Sequence, residues 1–160
     1  MKLIAEKLSK SDKLDRLTYE RVDGSRCTIS MPRQGILPHD LVHYLVEKQL
    51  GLRHGFTGIV AGGGDANFTM GQTHDPANKL LQAEAVQVEA IVEALQTQLW
   101  CGSFTEEDFL EGARSAAEVR GKPAFDFGGR DLEALLYLPA QKLGAEWSAI
   151  PFYGSMTLEF

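Results

Sequence analysis

The chain has 160 residues, 44% of them apolar and 24% charged, the make-up of one ordinary globular domain with a buried core, so a single domain over 1–160 is expected. A formal net charge of -6 argues against nucleic acid and against an anionic membrane as partners, and no apolar run approaches the length of a membrane span. Two cysteines without close spacing, Cys27 and Cys101, suit neither a zinc knuckle nor a disulfide framework.

The start MKLIAEKLSK lacks the apolar stretch of a signal peptide. With the cysteine usage, this makes a reducing, cytoplasmic setting the expectation. Charge is uneven: residues 1–33 hold eight Lys or Arg and five acids, the remainder eight and seventeen. The basic start reads as the solvated surface of a hairpin.

Residues 2–8 carry a weak strand signal. Arg16–Val22 and Arg26–Met31 read as a hairpin around Asp23-Gly24-Ser25. A two-residue turn would set apolar Leu17 and Tyr19 opposite polar Ser30 and Thr28. An odd, three-residue loop sets Leu17 opposite Met31 and Tyr19 opposite Ile29, and is preferred.

The stretch LPHDLVHYLVEKQL, residues 37–50, predicts an amphipathic helix with Pro38 at its first position and Gly51 as its C-terminal cap. Leu41, Val42, Leu45, Val46 and Leu50 form the apolar face, and His39, His43 and Glu47 run along one edge of it. Histidines four residues apart stand one helical turn from each other, the spacing that lets two imidazoles share a divalent ion such as zinc. Ligands at all three positions would span ~12 Å, so Glu47 is expected to orient an imidazole rather than ligate. A hydrogen-bonded pair at the edge of a core is the competing account of these histidines.

Phe56–Ala66 reads equally as a short helix or a strand. Its run Gly62-Gly63-Gly64 matches neither the dinucleotide fingerprint nor the P-loop, so a close-packed turn is expected rather than a phosphate cradle. Asn67–Ala77 reads as a loop containing His74.

Asn78 is placed to cap a long helix to about Leu99, with Leu80, Leu81, Val88, Ile91, Val92, Leu95 and Leu99 as its apolar stripe. Glu84 falls inside that stripe, whereas Glu89 and Glu93 fall outside it. A core-facing carboxylate must be paired, protonated or metal-bound. Glu84 is therefore the expected third ligand, with His74 and His54 behind it. Its alternative partner is a backbone N–H or a histidine.

Thr105-Glu106-Glu107-Asp108 suggests a capping box opening a helix to about Arg120, stopped by Lys122-Pro123. Phe125–Gly129 reads as a turn in which Asp126 either serves a site or bonds local backbone. Asp131 precedes a helix to about Leu143, closed by Gly144. Strands near Trp147–Ile150 and Ser155–Phe160 end the chain.

The segment His39-Asp40-Leu41-Val42-His43 resembles the His-Glu-x-x-His pattern of zinc metalloproteases, with the shorter Asp40 where that family has Glu. The longer stretch LPHDLVHYLVE followed by GLRHGFTGIVAGG resembles segments of bacterial proteins of no known activity, which implies no function.

Strands at both ends and helices between them predict an α+β fold: an antiparallel sheet from the N-terminal hairpin and C-terminal strands, with helices on one face. The leading functional expectation is a metal-binding protein, a metal-dependent hydrolase acting on an unidentified small molecule. It would hold a divalent metal ion with His39, His43 and Glu84, use Glu47 and His74 as supports, and use Asp40 or Asp126 as base. The other is a metal-free interaction or ligand-binding module in which the histidines and Glu84 form a buried hydrogen-bond network. Self-association into a homo-oligomer is left open.

Overall fold

The structure, a computed structural model, describes residues 1–66 and 79–160. The expected loop Asn67–Ala77, the cap Asn78 and His74 lie outside the described residues.

Strands β1 (Lys2–Glu6), β2 (Leu14–Glu20), β3 (Arg26–Pro32) and β4 (Ser155–Glu159) form one antiparallel sheet in the order β3-β2-β1-β4. Alternation sends Leu3, Ala5, Leu17, Tyr19 and Met31 to a buried face. Arg16, Thr28 and Ser30 occupy the solvated face, where Arg16 pairs with Glu6 at 2.8 Å. Helices cover only the buried face, as an α+β architecture requires.

The hairpin loop is odd, as the apolar faces demand, but it is Val22–Gly24, with Arg21 N–H bonded to Ser25 O at 2.9 Å. Gly24 takes the left-handed position, φ +81°, as the last residue of the loop. The register is therefore Leu17 opposite Ile29 and Tyr19 opposite Cys27, two residues from the expected one. A two-residue shift keeps every side chain on its predicted face.

Helix α1 is His39–Leu50, with Pro38 one position before it and Gly51 capping it at φ 71°. Every residue from Leu41 to Glu47 is buried, so α1 is enclosed on all sides. Phe56–Ala61 resolves as a short helix, α2.

Helix α3 (Lys79–Cys101) lies against α1, and α4 (Glu106–Val119) lies against α3, where Gly112 sits on Ala94. Thr105 caps α4 without a side-chain bond; the reciprocal half of the expected capping box is supplied instead by Gln98 Oε1, which accepts Thr105 N–H at 2.8 Å. Gly121, at φ 68°, ends α4 ahead of Pro123, with Lys122 N–H reaching back to Ala117 O.

A π-helical turn (Glu133–Tyr137) then leads into α5 (Leu138–Ala149). The wide turn relieves the clash that Pro139 would make with a carbonyl one turn earlier. Gly144 does not close this helix. It lies within it, against Leu37. Nor is there a strand at Trp147, which is a buried residue of α5; β4 alone completes the sheet from the C-terminal side. Among the described residues no helix is long and apolar enough to cross a membrane.

Candidate metal centre

His39 and His43 project from successive turns of α1 onto the flank of α3. Their rings are 4.7 Å apart, and the two Nε2 atoms are separated by 3.2 Å. The carboxylate that meets them is Glu89. One oxygen is 3.1 Å from His43 Nε2, and the other is 3.7 Å from His39 Nε2. Three donors about 2.0–2.2 Å from a tetrahedral ion lie about 3.3 Å from one another. The separations of the two nitrogens from each other and from the nearer Glu89 oxygens, 3.1–3.7 Å, are thus of the size found between ligand atoms in such a coordination sphere.

Each imidazole is held from behind. Gln96 Nε2 donates to Gln34 Oε1, leaving its own oxygen 2.9 Å from His39 Nδ1. The proton of His39 therefore belongs on Nδ1, and Nε2 offers its lone pair toward Glu89 and His43. Behind His43 stands Glu47, fully buried, with Oε1 3.4 Å from Nδ1. That pair is electrostatic only, because Nδ1 makes no hydrogen bond.

Glu47 is fixed by helix α2. It accepts the N–H of Thr57 at 2.9 Å and of Gly58 at 2.7 Å, two of the donors that a helix N-terminus leaves unpaired. Gly55 is pressed on this carboxylate so closely that a Cβ would stand 2.5 Å from Glu47 Cδ.

The charges are strongly coupled. Burial disfavours an imidazolium at His43, but the facing carboxylates of Glu47 and Glu89 outweigh it and raise its pKa from 6.5 to about 9. Burial raises Glu89, yet His43, His39 and Arg120 bring it below the ordinary glutamate value. Asp40, half-buried in the first turn of α1, is raised by burial against the pull of His39 and His43. It is near enough for both imidazoles and Glu89 to act on its charge.

Of the residues singled out from sequence, the structure brings together His39, His43 and Glu47, with Asp40 beside them. Glu84 does not join. Its Oε1 accepts the N–H groups of Arg53 and His54, both at 2.7 Å, and Oε2 is 3.0 Å from His54 Nδ1. Burial raises Glu84, but these bonds leave its pKa lowered overall. Asp126 lies in an exposed turn and accepts Gly128 N–H at 2.9 Å.

Glu89 and Gln96 were not among the sequence candidates. The signal for them is their spacing of seven along the flank of α3, which faces His43 and His39 in reverse order. Among the described residues, His39, His43 and Glu89 are the group of His, Cys, Asp or Glu whose ligand atoms lie within 4.8 Å of one another. Comparison with protein-family models, curated proteins and solved structures finds no match to this chain.

Proposed function

We propose that this protein binds a divalent metal ion through His39 Nε2, His43 Nε2 and a carboxylate oxygen of Glu89, and that the site serves hydrolysis of a small molecule. The observation that carries the reading is the convergence of two imidazole nitrogens and one carboxylate within 3.1–3.7 Å. Imidazole with carboxylate suits zinc, iron(II) or manganese. An ion there supplies the Lewis acid of a hydrolytic site. Gln96 and Glu47 orient the imidazoles, and Asp40 is the nearby carboxyl raised toward the range of a proton acceptor. His39 and Glu89 are each about a third exposed, at 35% and 36%, which gives the site a face open to a substrate.

A second reading has its own support. Without an ion, His43 as an imidazolium donates to Glu89 and sits against Glu47, a network that fixes α1 on α3. In that metal-free interaction module, Glu89 takes the part expected of Glu84.

Metal analysis of protein purified without a His-tag separates the two. One ion per chain is expected in the wild type and in Glu84→Gln, and loss of it in His43→Ala and Glu89→Gln. A metal-free protein whose melting temperature ignores both chelator and added zinc, iron(II) or manganese refutes the metal site and leaves the network.

A further inference from the structure

Among the described residues, three buried side-chain polar atoms have no hydrogen-bond partner: Tyr19 Oη, His43 Nδ1 and Thr57 Oγ1. Two of them, His43 and Thr57, meet the carboxylate of Glu47, and Tyr19 lies within its electrostatic reach and shares the neighbour Phe56 with His43. Thr57 donates its own N–H to Glu47 Oε1, and His43 Nδ1 lies 3.4 Å from the same oxygen. The ring of Phe56 packs 5.7 Å from His43 and 6.1 Å from Tyr19. Tyr19 is wholly buried, and its hydroxyl is kept protonated first by that burial and then by the charges of Asp40 and Glu47.

Unpaired buried polar atoms are rare and destabilising, and three so placed call for a shared partner. The partner's chemistry follows from the surroundings. An anion would face the carboxylate of Glu47, and a bare cation offers no hydrogen to an acceptor and no lone pair to a hydroxyl or ring N–H. An apolar molecule would leave all three atoms unpaired. A small neutral molecule that both donates and accepts fits, and water is the smallest.

We propose that an ordered internal water lies beneath α1 among Tyr19, His43, Glu47 and Thr57, and that it fixes the orientation of the His43 ring. Each of the three atoms gains a partner: Tyr19 Oη–H and His43 Nδ1–H donate to the water oxygen, and its two hydrogens go to Thr57 Oγ1 and a Glu47 oxygen. Tyr19 and Thr57 are thereby positioning residues that act on His43 through the water. This inference does not depend on an ion at Nε2, because it concerns the opposite edge of the ring.

The test joins a crystal structure at a resolution that shows waters with two near-isosteric variants, Thr57→Val and Tyr19→Phe. A bridging water gives density within hydrogen-bond reach of at least two of the three atoms. Each variant then strands the remaining partners, and the melting temperature falls by about 3 °C. The ¹⁵Nδ1 resonance of His43 also shifts in Thr57→Val, which loss of packing elsewhere would not cause. A dry site, a rise in melting temperature (the result of deleting a truly unpaired hydroxyl), or an unmoved His43 resonance overturns the proposal. If Tyr19→Phe does not fold, Thr57→Val decides alone.

Discussion

A fully buried imidazole is ordinarily neutral, because desolvation penalises its charged form; His43 is the reverse, since two carboxylates face it. Its folded-state pKa of about 9 exceeds 6.5, so protonation favours the folded protein. That stabilisation is complete below pH about 6.5 and disappears as pH rises through about 9. The difference corresponds to on the order of 3 kcal/mol. Glu89, lowered below 4.5, works the other way, contributing above that pH and losing its contribution as acid titrates it. In chelator, then, the melting temperature should fall between pH 6.5 and 9, and a His43→Phe variant should lack that slope. Equal slopes in the two proteins would mean that His43 is not charged in the metal-free fold. The edge of α1 bearing His39, His43 and Glu47 was legible from helical periodicity alone. Glu89 was not, because burial along α3 says which face meets the core but not which flank meets α1. Glu84, inside the stripe, instead satisfies the backbone of the turn after α1, a need that becomes visible only once that turn is placed.

The short helix α2 is held at its start by a side chain from another helix. With no capping side chain of its own, it relies on Glu47 to pair its first N–H groups. Two glycines permit the approach. At Gly58 a Cβ would stand 2.2 Å from Arg53 O, and that neighbour is backbone and cannot turn away. Gly58→Ala is therefore expected to destabilise by about 2–3 kcal/mol, even though alanine gains about 1 kcal/mol in intrinsic helix propensity. Gly62→Ala is the matched control. Gly62 has φ -77°, and its added Cβ meets nothing nearer than 3.5 Å. Urea unfolding of both variants checks the pair, and equal midpoints would show that the contact at Gly58 is not tight. Dependence on Glu47 also explains why FTGIVA could not be assigned from sequence: its first N–H groups are satisfied by a residue of the preceding helix. The misread strand at Trp147 has a related cause. An aromatic near the end of a helix and an inward-facing residue of a short strand look alike until α5 is seen to continue through Gly144.

At the scale of the whole molecule, α1 is the element that the others meet. It faces α3 through His43 and Glu89 and α2 through Glu47. It reaches the sheet's edge where Tyr44 Oη and Lys48 Nζ both donate to Glu159 O, at 3.1 and 2.6 Å. Strand β4 thus closes one side of the sheet and anchors the last turn of α1. Its Met156 and Leu158 pack against the core, and it pairs along the whole of β1, from Lys2 opposite Glu159 to Glu6 opposite Ser155. Removing residues 155–160 would uncover β1 as a new edge and strand alternate β1 backbone groups, the arrangement that recruits other chains. The truncated protein is expected to lose amide-exchange protection in β1 first and to elute as larger species in gel filtration. Protection in β2 and β3 should change less, because that hairpin keeps its own pairing. The His39–His43–Glu89 group lies on another side of α1, against α3. On the proposed metal reading, the truncated protein should therefore bind the same number of ions per chain as the full chain wherever it stays folded. Loss of the ion from a folded, monomeric truncation would mean that β4, through Lys48 and Tyr44, helps set the pitch of α1 that aligns the two imidazoles.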